Sequence, residues 1–235
     1  LIGFHIQFYC NNFLETVDRF LECRIDWEHF SVERRGHLSF VRPLPISVSM
    51  DDFSGGVGQD SERERIFREF GLEPEYIGVG VDRIDYTKGV PEKFLSIGRF
   101  LEKYPDFLGK FVFFQFGAPS RTHIKQYRDV IRESEEIAQR INWRFGSKDY
   151  KPIVFLIGHH DHARIIPFYR CADFCMVTSL HDGMNLVAKE FVASREDCNG
   201  VLILSQFTGA SRELKDAIIV NPYDTESMAD ALYLA

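Results

Sequence analysis

The chain holds no Cys-x-x-Cys pair, and its five cysteines (Cys10, Cys23, Cys171, Cys175, Cys198) are odd in number. A disulfide framework is excluded as the organising device, and reduced thiols in a cytoplasmic protein are expected. No apolar run approaches the roughly 20 residues of a membrane-spanning helix. The opening Leu1-Ile2-Gly3-Phe4-His5 also lacks the basic-then-apolar order of a secretory signal, so no membrane contact is expected. Positive charge is in deficit, with 28 Lys and Arg against 35 Asp and Glu, a formal charge of −7 and a pI near 5.6. That deficit argues against a nucleic-acid partner and leaves open a local basic pocket for a small phosphorylated ligand. Internal repeats and low-complexity tracts are missing too. What is present is a globular composition over 235 residues, 45% hydrophobic and 14% aromatic, enough for one large or two modest domains.

The sequence begins without Met in an apolar, strand-like run (Leu1, Ile2, Phe4, Ile6) and stops at Ala231-Leu232-Tyr233-Leu234-Ala235, inside an amphipathic helical pattern. Both ends are expected to be cuts in a longer protein, since each would bare apolar surface. Asn11-Asn12 closes the first strand candidate, and Phe13, Leu14, Val17, Phe20 and Leu21 then recur at helical spacing. Residues 37–48 read as extended chain punctuated by Pro43 and Pro45, a connection leaving a domain. Ser54-Gly55-Gly56-Val57-Gly58 is flexible in composition, and a charged helix follows from Ser61 to Phe70, stopped by Gly71. The domain boundary is expected near residues 48–58, dividing the chain into 1–52 and 53–235.

Beyond that boundary strands are expected at 76–81, 111–116, 153–157, 174–177 and 201–204, with helices at 91–101, 124–141 and 163–169. The strands are continuous apolar runs rather than alternating ones. This marks a parallel sheet covered on both faces, in a doubly wound, Rossmann-like α/β domain. Such sheets take ligands at the carboxyl ends of their strands.

The richest segment after a strand is His181-Asp182-Gly183-Met184-Asn185-Leu186-Val187-Ala188-Lys189-Glu190. Turn chemistry there feeds a helix whose first-turn N–H groups and partial positive charge suit phosphate or sugar oxygens. Gly183 has no Cβ to hold a ligand off the backbone, and Glu190, one turn beyond Leu186, suits the vicinal hydroxyls of a ribose. An ordinary capped helix would show the same local features. After strand 76–81, Arg83 and Lys88 share a segment with Asp82 and Asp85. The two cations fit the charge of a departing diphosphate, or else pair with those aspartates at the surface. Gly78-Val79-Gly80 begins a dinucleotide-like fingerprint, but Arg83 occupies the third glycine position. Arg121, in Gly117-Ala118-Pro119-Ser120-Arg121, reads as an anion ligand in the same crevice or as a helix-start arginine in solvent. His159-His160-Asp161-His162 has metal-like composition, yet neighbouring loop residues cannot all converge on one ion; a pocket wall is expected there, with no metal. Small residues in Ser205-Gln206-Phe207-Thr208-Gly209-Ala210 allow close approach to a ligand or to another helix.

Taken in order, V-D-R-I-D-Y-T-K-G at 81–89, Gly117 to Arg121, D-G-M-N-L-V-A-K-E at 182–190 and L-S-Q-F-T-G-A at 204–210 resemble trehalose-6-phosphate synthase and its close glycosyltransferase relatives. The resemblance spans nearly the whole chain, and the D-G-M-N-L-V-A-K-E string is highly specific. It implies the retaining GT-B architecture, two Rossmann-like domains facing across a cleft, with 53–235 the nucleotide-sugar donor domain and 1–52 the tail of the acceptor domain.

Carried over position by position, the resemblance implies Arg83 and Lys88 at the donor diphosphate and Asp182, Gly183, Met184 and Asn185 at the hexose. It implies Leu186, Val187 and Ala188 at the phosphate and ribose through their backbone, and Glu190 at the ribose hydroxyls. Arg121 matches the arginine that reaches the acceptor's phosphate. His160 matches a position whose main chain borders the nucleotide base, and His162 stands where relatives often carry an arginine. The implied reaction moves glucose from a nucleotide-glucose, UDP-glucose foremost, to glucose 6-phosphate with retention, giving trehalose 6-phosphate. Arg83, Lys88 and Asp182 form the implied catalytic set, with no cofactor. A glucosylglycerol-phosphate synthase, or another maker of phosphorylated glycosides, would share every donor residue. A nucleotide-binding module without turnover is the alternative outside the enzymes. The family's glycine-rich donor loop, acceptor-binding aromatics and cleft histidine are expected upstream of Leu1, so residues 1–235 alone are expected to bind donor without forming glycoside.

Overall fold

The computed structural model describes residues 1–53, 55 and 59–235. It divides into two compact units, Leu1–Ser47 and Val48–Ala235. Of the flexible tract expected at 54–58, all but Gly55 lies outside the described residues.

In the first unit β1 (Ile2–Phe4) leads into α1 (Gln7–Phe20), followed by β2 (Arg24–Asp26), β3 (Ser31–Arg34) and β4 (His37–Pro43). β2, β3 and β4 form an antiparallel meander, and β4 also pairs in parallel with β1. Cys10, Leu14 and Val17 of α1 pack with Val32 and Val41. That apolar stripe begins at Cys10, so Asn11 and Asn12 lie inside the helix rather than ahead of it, as the sequence had suggested. Residues 37–48 are likewise not all linker, because the first seven are β4. Arg35 (φ 51°) and Gly36 (φ 74°) both adopt the left-handed conformation of a two-residue hairpin turn between β3 and β4.

The second unit runs α2 (Gln59–Phe70), β5 (Tyr76–Ile84), α3 (Val90–Lys103), β6 (Phe111–Pro119), α4 (Lys125–Phe145), β7 (Ile153–Ile157), α5 (His162–Cys171), β8 (Phe174–Val177), α6 (Leu186–Ala193), β9 (Val201–Ser205), β10 (Ile218–Val220) and α7 (Thr225–Leu234). Its six strands lie in the order β10-β9-β8-β5-β6-β7, and every pairing is parallel. This is the doubly wound α/β sheet expected from the continuous apolar runs. β6 shows why the run at 111–116 does not alternate. Phe111 and Phe113 enter a core with Phe94, Ile97 and Phe100 of α3, whereas Phe114 and Phe116 meet Phe168 of α5 at ring-centroid distances of 5.2 and 4.8 Å. Both faces of the strand are therefore dry.

Gly78 and Gly80 lie inside β5, so they form no dinucleotide-binding turn. A Cβ at 78 would fall 2.3 Å from the Phe174 ring, and one at 80 would fall 2.5 Å from Gln115 Oε1 and 2.8 Å from Lys93 Nζ. The space beside Gly80 holds a buried polar knot. Lys93 Nζ is 2.6 Å from Asp82 Oδ2 and donates to Gln115 Oε1 at 3.0 Å, while Gln115 Nε2 donates to Asp82 Oδ2 at 3.1 Å. The knot joins α3, β5 and β6 just below the strand ends that carry Arg83 and Arg121. Lys93→Ala strands the Asp82 carboxylate without its counter-charge, and a loss of about 3–5 kcal/mol in unfolding free energy is expected. Urea denaturation measures it, and a loss under about 1 kcal/mol would show that the pair is structurally dispensable.

Candidate functional site

From β5 the chain winds outward through β6 and β7, then returns to β8 on the other side of β5 and continues to β9 and β10. The switch point lies between β5 and β8, where the connections after two neighbouring strands run opposite ways and leave a crevice. Lys88 follows β5 and Asp182 follows β8. Their side chains meet there, Nζ to Oδ2 at 2.5 Å, each 15% exposed.

Local sequence holds each loop in shape. The Asp85 carboxylate accepts from the Thr87 N–H and hydroxyl at 3.0 and 3.1 Å, an Asx turn that presents Lys88. Gly89, at φ 65°, lets its backbone lie against Thr178, where a Cβ would come 2.3 Å from the carbonyl oxygen. The Leu180 N–H donates to the Thr87 carbonyl at 2.8 Å, and Thr178 Oγ1 donates to the Gly89 carbonyl at 3.0 Å. On the other side, the Asp182 N–H donates to the Phe207 carbonyl and the Ala210 N–H to the Met184 carbonyl, at 3.1 and 2.8 Å. A Cβ at Gly209 would fall 2.2 Å from the Gly183 carbonyl oxygen. The small residues at 205–210 thus serve a close approach to the site loop itself.

Asn185, at φ 74°, caps α6 through Oδ1, which accepts from the Ala188 N–H at 3.1 Å. Its Nδ2 donates to Asp182 Oδ2 at 3.1 Å and to Ser179 Oγ at 3.4 Å. One side chain therefore finishes the helix and braces the carboxylate. Because this cap occupies the Ala188 N–H, two of the three expected backbone donors remain, those of Leu186 and Val187, which have no intrahelical acceptor. Met184 is 3% exposed, so its side chain is packed away from solvent. Burial pushes the Asp182 carboxyl up, but Lys88, Asn185 and the Met184 N–H outweigh it and hold the group below the ordinary aspartate value.

The aspartates beside Arg83 and Lys88 do not neutralise them. Asp82 pairs with Lys93, and Asp85, whose carboxylate accepts from Thr87, makes no ion pair with either cation among the described residues. Arg83 lies on β5 rather than after it, exposed and paired with Ala118 of β6, and it makes no ion pair among the described residues. Arg121, just past β6, has a left-handed backbone (φ 44°), a strained choice for a residue with a Cβ. Its guanidinium donates to Tyr127 Oη at 3.1 Å and lies 5.7 Å from that ring's centroid. Tyr127 in turn meets Tyr86 edge-on at 5.7 Å. Sequence reading missed Tyr127, whose link to Arg121 depends on how α4 starts.

The histidine segment disperses. The His160 ring packs edge-on against Phe116 at 5.0 Å, with Nε2 buried and without a hydrogen-bond partner among the described residues. Asp161 caps α5 through the Arg164 N–H at 3.0 Å, and His162 Nε2 lies 3.9 Å from Glu190 Oε1. No group of three metal-ligating side chains occurs among the described residues. Glu190, on α6, also accepts from Tyr169 Oη at 3.2 Å. Arg83, Arg121, His160 and Glu190 thus surround the strand ends without touching the Lys88–Asp182 pair.

A doubly wound parallel sheet with a lysine and a helix N-terminus at its switch point has the features that suit a phosphorylated ligand. Comparison with known proteins narrows that reading: the model of glycosyltransferase family 20 matches residues 1–235, and the chain belongs to this family. The alpha,alpha-trehalose-phosphate synthase [UDP-forming] of Pichia angusta is 38% identical over 236 residues, covering 99% of this chain and 49% of the relative. A solved structure described as trehalose-6-phosphate from E. coli bound with UDP-2-fluoro glucose superposes with a TM-score of 0.89 at 34% identity, over 99% of this chain and 52% of the other. The structure of an alpha,alpha-trehalose-phosphate synthase (UDP-forming) from Burkholderia xenovorans in complex with glucose-6-phosphate gives a TM-score of 0.92 at 32% identity, over 99% of this chain and 52% of the other. The α/β fold is thus that of the GT-B trehalose-phosphate synthase chains. The chain spans about half the length of the curated relatives it matches.

The depressed Asp182 pKa fixes a pH signature. A carboxyl lowered on folding adds stability above its unfolded value, near 3.8, and that stability is lost as pH falls through the lower folded value. Asp182→Asn is expected to be less stable than wild type above about pH 5, with the gap closing under more acid conditions. Denaturant unfolding of both proteins across that range measures the gap, and a constant gap would refute the Lys88 pairing.

Proposed function

We propose that the protein is a retaining glycosyltransferase that moves glucose from UDP-glucose to glucose 6-phosphate, giving trehalose 6-phosphate and UDP. One observation carries the proposal: Lys88 and Asp182, from loops on either side of the switch point, meet at 2.5 Å beside the N-terminus of α6. An ammonium has three N–H donors, so Lys88 keeps two for a donor phosphate after serving Asp182. Arg83 adds an un-neutralised cation, and the Leu186 and Val187 N–H groups add a third source of positive potential. Asp182, held below the ordinary aspartate value, stays anionic and is a poor base at neutral pH. It suits accepting hydrogen bonds from hexose hydroxyls, with Gly183, Met184 and Asn185 around it, and not carrying a proton or forming a covalent bond. Glu190 takes the ribose hydroxyls, and the His160 segment borders the base.

In this mechanism the bond from the anomeric carbon to the diphosphate oxygen breaks with its electron pair leaving on the diphosphate. The acceptor oxygen bonds to that carbon on the same face, and its proton passes to the departing diphosphate. Arg83 and Lys88 meet the charge as it develops. We assign residues 53–235 to donor binding and 1–52 to the tail of an acceptor domain, with Arg121 reaching the acceptor's phosphate. A phosphate-directed Arg121 also fits glycerol 3-phosphate as acceptor, and product analysis with both phosphorylated acceptors separates the two enzymes. A cytoplasmic site of action accords with five free cysteines.

Replacing Arg83 and Lys88 together by Ala is expected to abolish UDP binding in calorimetric titration, and wild-type affinity is expected to weaken with added salt. Equal affinity in wild type and double variant would overturn the donor assignment. Residues 1–235 by themselves are expected to bind UDP yet yield no glycoside, because orienting the acceptor accounts for roughly 7–11 kcal/mol of barrier in such two-substrate reactions. Turnover by this segment at the rate of a full-length family member would disprove that expectation.

A further inference from the structure

Tyr169 on α5 is the largest of the fully buried side chains, 0% exposed. Its ring stands edge-on to Phe191 of α6 at 6.1 Å. Its carbonyl, with those of Arg170 and Ala172, accepts from Arg195 Nη1 at 3.1, 2.7 and 2.5 Å, which ties the carboxyl end of α5 to the residues after α6. A phenol buried this deeply needs a hydrogen-bond partner. The partner is Glu190, whose Oε2 lies 3.2 Å from Tyr169 Oη. Burial, reinforced by nearby groups including Glu190, raises the phenol's pKa well above its ordinary value, so it remains a donor to an acceptor-only carboxylate. Glu190 itself is only 14% exposed, with Oε1 3.9 Å from the surface His162 ring. One oxygen is anchored from inside the protein, and the other lies toward its rim.

We propose that Tyr169 is a positioning residue for the donor's ribose: its hydroxyl, bonded to Glu190 Oε2, fixes the rotamer in which Oε1 receives a ribose hydroxyl. This rests on the assignment of Glu190 to the ribose. A rigid phenol suits the task, because a ligand hydroxyl that meets a pre-set carboxylate does not have to offset the side-chain entropy of ordering it.

The test is calorimetric titration of the full-length protein, its Tyr169→Phe variant and its Glu190→Ala variant with UDP, 2′-deoxy-UDP and 3′-deoxy-UDP. In wild type, loss of the hydroxyl that Glu190 holds is expected to weaken binding about tenfold. In Tyr169→Phe that penalty is expected to shrink to about threefold or less, with UDP itself bound several-fold more weakly, KM for UDP-glucose raised and kcat unchanged. A merely structural role would weaken all three nucleotides alike; an unchanged penalty in Tyr169→Phe, together with its disappearance in Glu190→Ala, overturns the proposal and leaves the ribose assignment standing. A full penalty in Glu190→Ala removes the ribose assignment, and the role of Tyr169 with it. Should Tyr169→Phe prove unstable in urea unfolding, 3-fluorotyrosine at position 169 keeps the ring and alters the donor strength, and the same ribose penalty is read.

Discussion

Everything at the switch point depends on one ion pair closing the gap between two loops that are far apart in sequence. Lys88 and Asp182 are 94 residues apart, and their contact is possible because the backbones beneath them touch. Gly89 lies against Thr178, and Gly209 lies against Gly183, each at a distance that excludes a side chain. Gly89 decides how near the two loops come, Gly209 lets the 205–210 segment back the Asp182 loop, and the ion pair then decides where the charges point. At 15% exposure the two charges are largely desolvated, so much of what each does for the other is to keep it from being buried alone. On the proposed donor assignment the pair also serves orientation, because a ligand arriving at an already ordered lysine and aspartate meets them without reorganisation.

The sheet was legible wherever a strand is dry on both faces. The run Phe111 to Phe116 could not be an amphipathic element, and its residues do divide between α3 on one face and α5 on the other. Residues 174–177 were read to their ends for the same reason, and residues 153–157, an edge strand that is only partly buried, by their continuous run of mostly β-branched and aromatic residues. Short or half-exposed strands gave no such signal. β2 shows the pattern exposed, intermediate, exposed, and β10 has three residues, so neither presents enough apolar surface to be recognised locally. α1 was misplaced at its start because Asn11-Asn12 reads as a breaker, yet the burial of Cys10 one turn before Leu14 overrode that preference.

For the site, legibility followed locality. The run 182–190 contains its own turn, cap and helix, so its chemistry could be read without knowing what surrounds it. Lys93, Gln115, Tyr127 and Tyr169 carried no such mark. Each looks like an ordinary residue of an amphipathic element or an apolar run, and each acquires its part only when another strand or helix is packed beside it. The pairing of Asp82 with Lys93 is the clearest case: sequence proximity favoured Arg83 or Lys88 as its partner, but strand alternation turns Asp82 inward and Arg83 outward. Inward, the carboxylate needed a buried cation, and α3 supplies one from its first turns.

That sorting also divides the work among the cations. Lys93 is spent on structure, Lys88 is shared between structure and site, and Arg83 has no claim on it from the described protein. A positive charge held by a nearby carboxylate contributes little net potential at a distance, yet keeps its directed N–H donors; an exposed, unpaired guanidinium does the reverse. In a chain with a formal charge of −7, the proposed donor assignment has an approaching diphosphate drawn chiefly by Arg83 and the first turn of α6. On the same assignment Lys88 acts at short range, once the ligand is within hydrogen-bonding distance. Under that assignment attraction and orientation fall to different side chains from one strand and the loop that follows it, and the two cations, five residues apart in sequence, differ in their surroundings: one exposed and without an ion pair among the described residues, the other held by Asp182.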